Sequence, residues 1–136
     1  MNLMMEIAER FLNYTKFDTQ SDEESESVPS TAKQLVFAKN LKEELDEEGF
    51  SDIELDDMGY LYATLKANTK KDIPTIGFIS HYDTSPDCSG ADIKPHIVNC
   101  YDGSDILLSE GIVSSPKKFP ELLDHIGVRL WRATAL

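Results

Sequence analysis

The chain has 136 residues, 40% of them hydrophobic, and carries a formal net charge of −12. That length suits one domain able to bury a usable core, and the surplus of carboxylates works against a nucleic-acid partner, because phosphate binding relies on clustered Lys and Arg. No apolar run approaches the roughly 20 residues of a membrane-spanning helix. Met1-Asn-Leu-Met-Met5 is followed at once by Glu6 and Glu9 rather than by a signal-peptide core, so no membrane partner is expected and the expected compartment is the cytoplasm.

Leu3, Ile7, Phe11 and Tyr14 recur at helical spacing, with Ala8, Leu12 and Thr15 beside them. They predict a first amphipathic helix of about four turns. Residues 18–27 lack apolar periodicity and read as a loop. A second helix follows Pro29: Thr31 and Gln34 have capping-box spacing, and Leu35, Ala38, Leu41 and Leu45 form the expected buried stripe. Gly49 suits the position after that helix, where Phe50 can pack back on the last turn. The period then changes from helix to strand. Ile53-Glu-Leu55, a turn over residues 56–59 and a run over 60–65 predict a hairpin. A polar turn leads into an apolar stretch, residues 73–80, expected to be a buried strand. Residues 84–120 are rich in Pro, Gly, Ser and Asp. They predict long loops with short strands near Ile97-Val98 and Ile106-Leu-Leu108, followed by a short helix over 119–126. Helices followed by strands indicate an α/β domain. The acidic runs at 22–26, 43–48 and 52–57 read as solvated faces and loop. Cys88 and Cys100 match no zinc spacing and are expected to remain thiols.

The apolar run stops abruptly at Ser80-His81-Tyr82-Asp83-Thr84. A strand end would thus deliver an imidazole and a carboxylate to a loop, where an open α/β sheet places its chemistry. On extended backbone residues i and i+2 point the same way, so His81 and Asp83 can act together. His81 is the best candidate metal ligand: zinc accepts imidazole nitrogen, and a neighbouring carboxylate fixes the ring's tautomer. The alternative is a histidine that caps a strand with its hydrogen bonds satisfied. Asp83 would orient His81, or make an Asx-turn ahead of Pro86. The pattern leaves both open, because His-x-Asp is short.

A nucleophilic triad of Ser80, His81 and Asp83 is disfavoured, since adjacent strand residues face opposite sides and no Gly-x-Ser-x-Gly occurs. His96, in a loop, and His125, at a helix end, read as surface residues. Trp131 beside Arg129 and Arg132 is a poor base-stacking platform amid so much negative charge.

Arg10-Phe-Leu-Asn-Tyr14, Asp18-Thr-Gln-Ser21, Val28-Pro-Ser-Thr31 and the run from Ile73 through His81-Tyr-Asp83 to Gly90 resemble the N-terminal part of the peptidase T family, cytoplasmic tripeptide aminopeptidases among the dizinc exopeptidases. Ser85-Pro-Asp-Cys-Ser-Gly90 is the most specific stretch. Further matches lie in Asn99-Cys-Tyr-Asp-Gly-Ser-Asp-Ile106, Ser115-Pro116 and Phe119-Pro-Glu-Leu-Leu123.

The resemblance implies an α/β fold with helices packed on a mixed β-sheet, residues 1–127 being the incomplete N-terminal part of a dizinc catalytic domain. Residues 128–136 depart from the pattern and are expected to reflect a reading-frame shift or a truncated gene. It further implies zinc as cofactor, two ions per complete enzyme, with His81 as a metal ligand and Asp83 as the catalytic assistant. The substrate would be a tripeptide that loses its N-terminal residue, and the complete enzyme a homodimer joined through a lid domain. The family's other ligands and its general base fall further along than these 136 residues, so the chain alone is expected to be inactive. Two other readings stand beside this one: another dizinc hydrolase, such as a carboxypeptidase or deacylase, or a non-catalytic remnant or interaction module.

Overall fold

A computed structural model describes residues 3–109 and 111–132, so residues 133–136 of the tail expected over 128–136 lie outside the described residues. In chain order the elements are α1 (Leu3–Tyr14), α2 (Ala32–Glu47), β1 (Ser51–Leu55), β2 (Leu61–Thr64), β3 (His96–Val98), β4 (Ile106–Ser109), β5 (Ile112–Ser114), a 3-10 helix (Pro120–His125) and β6 (Leu130–Arg132). They fall into two units, one formed by Asp18–Cys88 and the other by Met1–Phe17 with Ser89–Leu136. No helix among the described residues is long and apolar enough to cross a membrane.

In the Asp18–Cys88 unit, α2 starts where expected, after an extended Thr31, but the capping box does not form. The Thr31 hydroxyl instead donates to the Gln20 carbonyl at 2.9 Å, and Gln34 Nε2 donates to Ser30 Oγ at 3.1 Å. Satisfying a carbonyl from a distant loop competes with satisfying the helix's own first turn. The C-terminus follows the sequence closely. Gly49 takes φ +82, its N–H donates to the Asp46 carbonyl, and the Phe50 N–H reaches back to Leu45. These are the two bonds of a Schellman motif. The deepest line on α2 is Gln34, Phe37 and Ala38; Leu35, Leu41 and Leu45 are only half-buried. The stripe is rotated because the hairpin and the ring of Tyr82 cover the Phe37 side.

That hairpin pairs β1 with β2 antiparallel, Leu55 opposite Leu61 and Ser51 opposite Thr64, with a bulge between Ser51 and Glu54. Its turn is organised by Asp56. Oδ1 accepts from the N–H of Met58 at 3.0 Å and of Tyr60 at 2.8 Å, while Gly59 sits at φ +87.

Two expectations fail here. The mixed sheet is not formed among the described residues: the three ladders are two-stranded and antiparallel, and parallel pairing is confined to the bridge between Gln20 and Thr84. Residues 73–80 carry no ladder and are not buried, with Phe78 93% and Ile79 102% exposed. An apolar run makes a buried strand only where neighbouring backbone pairs with it and side chains cover both faces, and no described segment does so.

In the other unit, α1 appears as predicted, with Ile7 and Phe11 about half exposed. β3 pairs with β6, setting Ile97 opposite Trp131, and β4 pairs with β5. The short strands near 97 and 106 are thus present, and His96 opens β3 rather than lying in a loop. Tyr101 is the buried plug of this unit. Its hydroxyl donates to the Ser104 carbonyl at 2.8 Å, its N–H to Val128, and its carbonyl accepts from Gly127. The helix expected at 119–126 is a 3-10 helix with Pro120 in its first turn.

Gly49 offers a clean check on α2. A Cβ there would meet nothing within 4 Å, so Gly49→Ala should cost only backbone strain, about 1–2 kcal/mol. The expected outcome is a lowered urea midpoint with an unchanged slope, and a smaller loss for Gly49→Asn.

Candidate functional site

The local order around His81 is set by the residues just after it. Thr84 uses both of its backbone groups: its N–H donates to the Thr19 carbonyl at 3.1 Å, and its carbonyl accepts from the Ser21 N–H at 2.9 Å. The Ser21 hydroxyl adds a third bond to that carbonyl at 2.9 Å. Tyr82 turns the other way, toward the core. Its ring meets Phe37 edge-on with centroids 5.8 Å apart, and its hydroxyl donates to the Gly59 carbonyl. Burial, with Asp56 and Asp83 adding to it, pushes the Tyr82 phenol above its ordinary pKa.

With Tyr82 drawn inward, its two neighbours are left outward. The His81 side chain is 83% exposed and that of Asp83 46%. They meet as the i, i+2 argument predicts: Nδ1 of His81 lies 3.1 Å from Asp83 Oδ1 and 3.0 Å from the Asp83 carbonyl oxygen. Both partners are acceptors, so a neutral ring here carries its proton on Nδ1. The Nε2 lone pair is then left for a metal, the usual arrangement of a carboxylate-backed histidine ligand.

Among the described residues no group of three or more His, Cys, Asp or Glu side chains is placed to hold a metal ion. His81 with its orienting carboxylate fits one position of a zinc site; the described residues do not assemble the rest. His96 and His125 are exposed, and Cys88 and Cys100 are exposed free thiols. The ring of His81 bonds to Asp83, and no described hydrogen bond joins it to Ser80.

One residue before Thr19, Asp18 pairs with Lys33 at 2.9 Å and accepts from the Gln20 N–H at 3.1 Å. Partial burial opposes ionisation of Asp18, but Lys33 and the Gln20 amide outweigh it and hold the carboxyl below its ordinary value. Tyr82 and Gln20 are two residues of this region that the sequence marks only faintly. The signal for Tyr82 was an aromatic between two polar residues, which an alternating backbone sends to the opposite face. For Gln20 it was membership of the Asp18-Thr-Gln-Ser21 segment, whose partner is remote in sequence.

Two measurements check this geometry. Tyr82→Phe should cost about 1 kcal/mol by loss of one hydrogen bond, read from the urea midpoint, and Tyr82→Ala distinctly more, because the contact with Phe37 goes too. Asp18 has a depressed pKa in the fold, so its stabilisation is present above the unfolded value and fades as pH falls below about 3.8. Lys33→Met should therefore flatten the acid limb of stability against pH, by less than about 1 kcal/mol for so exposed a pair.

No protein-family model matches the chain. Curated relatives do. The protein named Peptidase T from Clostridium acetobutylicum is 57% identical over 129 residues, covering 93% of this chain and 32% of the relative. Those from Caldanaerobacter subterraneus subsp. tengcongensis and Desulfitobacterium hafniense are each 54% identical over 129 residues. The chain spans about a third of the length of the curated relatives it matches. Identity above half, sustained over 93% of the chain, agrees with the resemblance carried by residues 73–90, and over its matched residues the chain is similar to the N-terminal third of proteins named Peptidase T.

Proposed function

We propose that these residues belong to a zinc-dependent aminopeptidase that removes the N-terminal residue of tripeptides, with His81 as a metal ligand and Asp83 as the group that orients it. The observation that carries this reading is the pairing of His81 Nδ1 with Asp83, which directs Nε2 outward from an exposed ring, within a chain whose matched relatives are named Peptidase T. Two zinc ions per enzyme, a cytoplasmic setting and a dimer formed through a lid domain belong to the same reading. Bound zinc supplies Lewis-acid polarisation of the scissile carbonyl.

The chain's own residues have narrower tasks. Asp83 holds the His81 ring in one tautomer, which leaves Nε2 as the donor atom. Tyr82, anchored on Phe37 and Gly59, keeps the backbone between them from rotating. Thr84, bonded to Thr19 and Ser21, keeps Asp83 from following the loop outward.

The direct test places this chain's matched residues into the Clostridium acetobutylicum Peptidase T, replacing their counterparts, and assays tripeptide cleavage with added zinc. The expected result is turnover that His81→Ala abolishes and Asp83→Asn reduces about 10- to 100-fold. An active chimera in which His81→Ala changes nothing would overturn the assignment of His81. Turnover of acylated amino acids in place of tripeptides would replace the substrate class. The 136-residue chain assayed alone with zinc should show no turnover, since a hydrolytic zinc typically needs three protein ligands and the described residues supply one candidate.

A further inference from the structure

The loop after Asp83 is poor in ways of holding itself. Pro86 contributes no N–H, and the internal bonds of the turn are local ones between Ser85 and Asp87: the hydroxyl of Ser85 to Asp87 Oδ2 at 2.6 Å, and the Asp87 N–H to Ser85 Oγ at 3.2 Å. Its carbonyls are satisfied from elsewhere. Gln20 Nε2 donates to the carbonyls of both Pro86 and Cys88, each at 2.9 Å. The carboxamide oxygen of Gln20 faces Lys33 Nζ at 3.4 Å. Two carbonyls on one side and an ammonium on the other fix which end of the amide is nitrogen.

Gln20 is itself held on three sides. Its N–H donates to Asp18, its carbonyl accepts from the Thr31 hydroxyl at the start of α2, and it stands in the parallel bridge to Thr84. One residue, through backbone and side chain together, thus ties the beginning of α2 to residues 84–88, starting one residue beyond Asp83.

We propose that Gln20 is a positioning residue for the His81–Asp83 pair: its carboxamide clamps the loop that follows Asp83, and so holds the Asp83 carboxylate and carbonyl where they meet His81 Nδ1. Its purpose rests on the aminopeptidase reading; its geometry does not. Methionine at this position keeps length and volume while removing both donors. Glutamate would set a carboxylate against two carbonyl oxygens.

The test uses two readouts. In the 136-residue chain, long-range proton–nitrogen NMR of the His81 ring should show a predominantly Nδ1–H tautomer, and Gln20→Met should shift the ring toward a mixture. The amide signals of Asp83, Thr84 and Asp87 should move, while those of Phe37 and the rest of α2 stay in place. In the chimera with the Clostridium acetobutylicum enzyme, Gln20→Met should lower kcat about tenfold or more, with KM within about twofold and the thermal midpoint little changed. An unaltered His81 ring together with an unaltered kcat overturns the proposal, as does a kcat loss that merely tracks the folded fraction.

Should Gln20→Met lose its folded signals, Thr31→Val is the second variant. It removes the Thr31 hydroxyl's bond to the Gln20 carbonyl while leaving the carboxamide and its Lys33 contact in place, and must move the same ring signals to a smaller extent; unchanged signals overturn the proposal. If the unmutated chimera is inactive while Gln20→Met still shifts the His81 ring, the positioning role stands and the aminopeptidase reading falls.

Discussion

Thr84 is the residue on which the Asp18–Cys88 unit closes. Its bonds to Thr19 and Ser21 join segments 63 residues apart, and everything between them, α2 and the β1–β2 hairpin, is held inside that loop. Closing a loop of such length costs only slowly more than closing a short one. The cost is offset where the enclosed elements bury Phe37 and Ala38. Thr19 is itself buried, so its carbonyl would be a costly orphan without the Thr84 N–H. The clasp and the small core therefore support each other, and the His81–Asp83 pair sits at the clasp's edge.

Elements whose signals are local were legible in the sequence. α1 and α2 follow apolar periodicity, the α2 terminus follows Gly49, and the hairpin follows Asp56 and Gly59, because in each case the residues that cause the structure are neighbours along the chain. The capping box failed for the opposite reason: Thr31 found a better partner in Gln20, which local spacing cannot reveal. The 3-10 helix over Pro120–His125 differs from the expected helix only in its winding. The pairing of His81 with Asp83 was legible from their two-residue spacing. The parallel bridge between Gln20 and Thr84 was not, since two loop segments that meet once leave no periodic trace in either.

The stretch 73–80 shows which side of the site governs it. Its composition argues for a strand buried on both faces, yet Ile76, Phe78 and Ile79 are bare. Bare apolar side chains and unpaired backbone give little resistance to motion, so this run cannot be what fixes His81. The contacts that do fix the pair lie at Tyr82 or beyond it: the Phe37 ring, the Gly59 carbonyl, and the bonds of Thr84 to Thr19 and Ser21. A disturbance within 73–80 reaches His81 through a single covalent chain. A disturbance at Gly59 is felt at once, because a Cβ there would lie 3.0 Å from the Tyr82 hydroxyl and would push on the residue between His81 and Asp83. The orientation of the ring is thus a property of the loop's anchors, and the apolar run that leads to it adds surface that sheet neighbours could cover without having to create the geometry at its end.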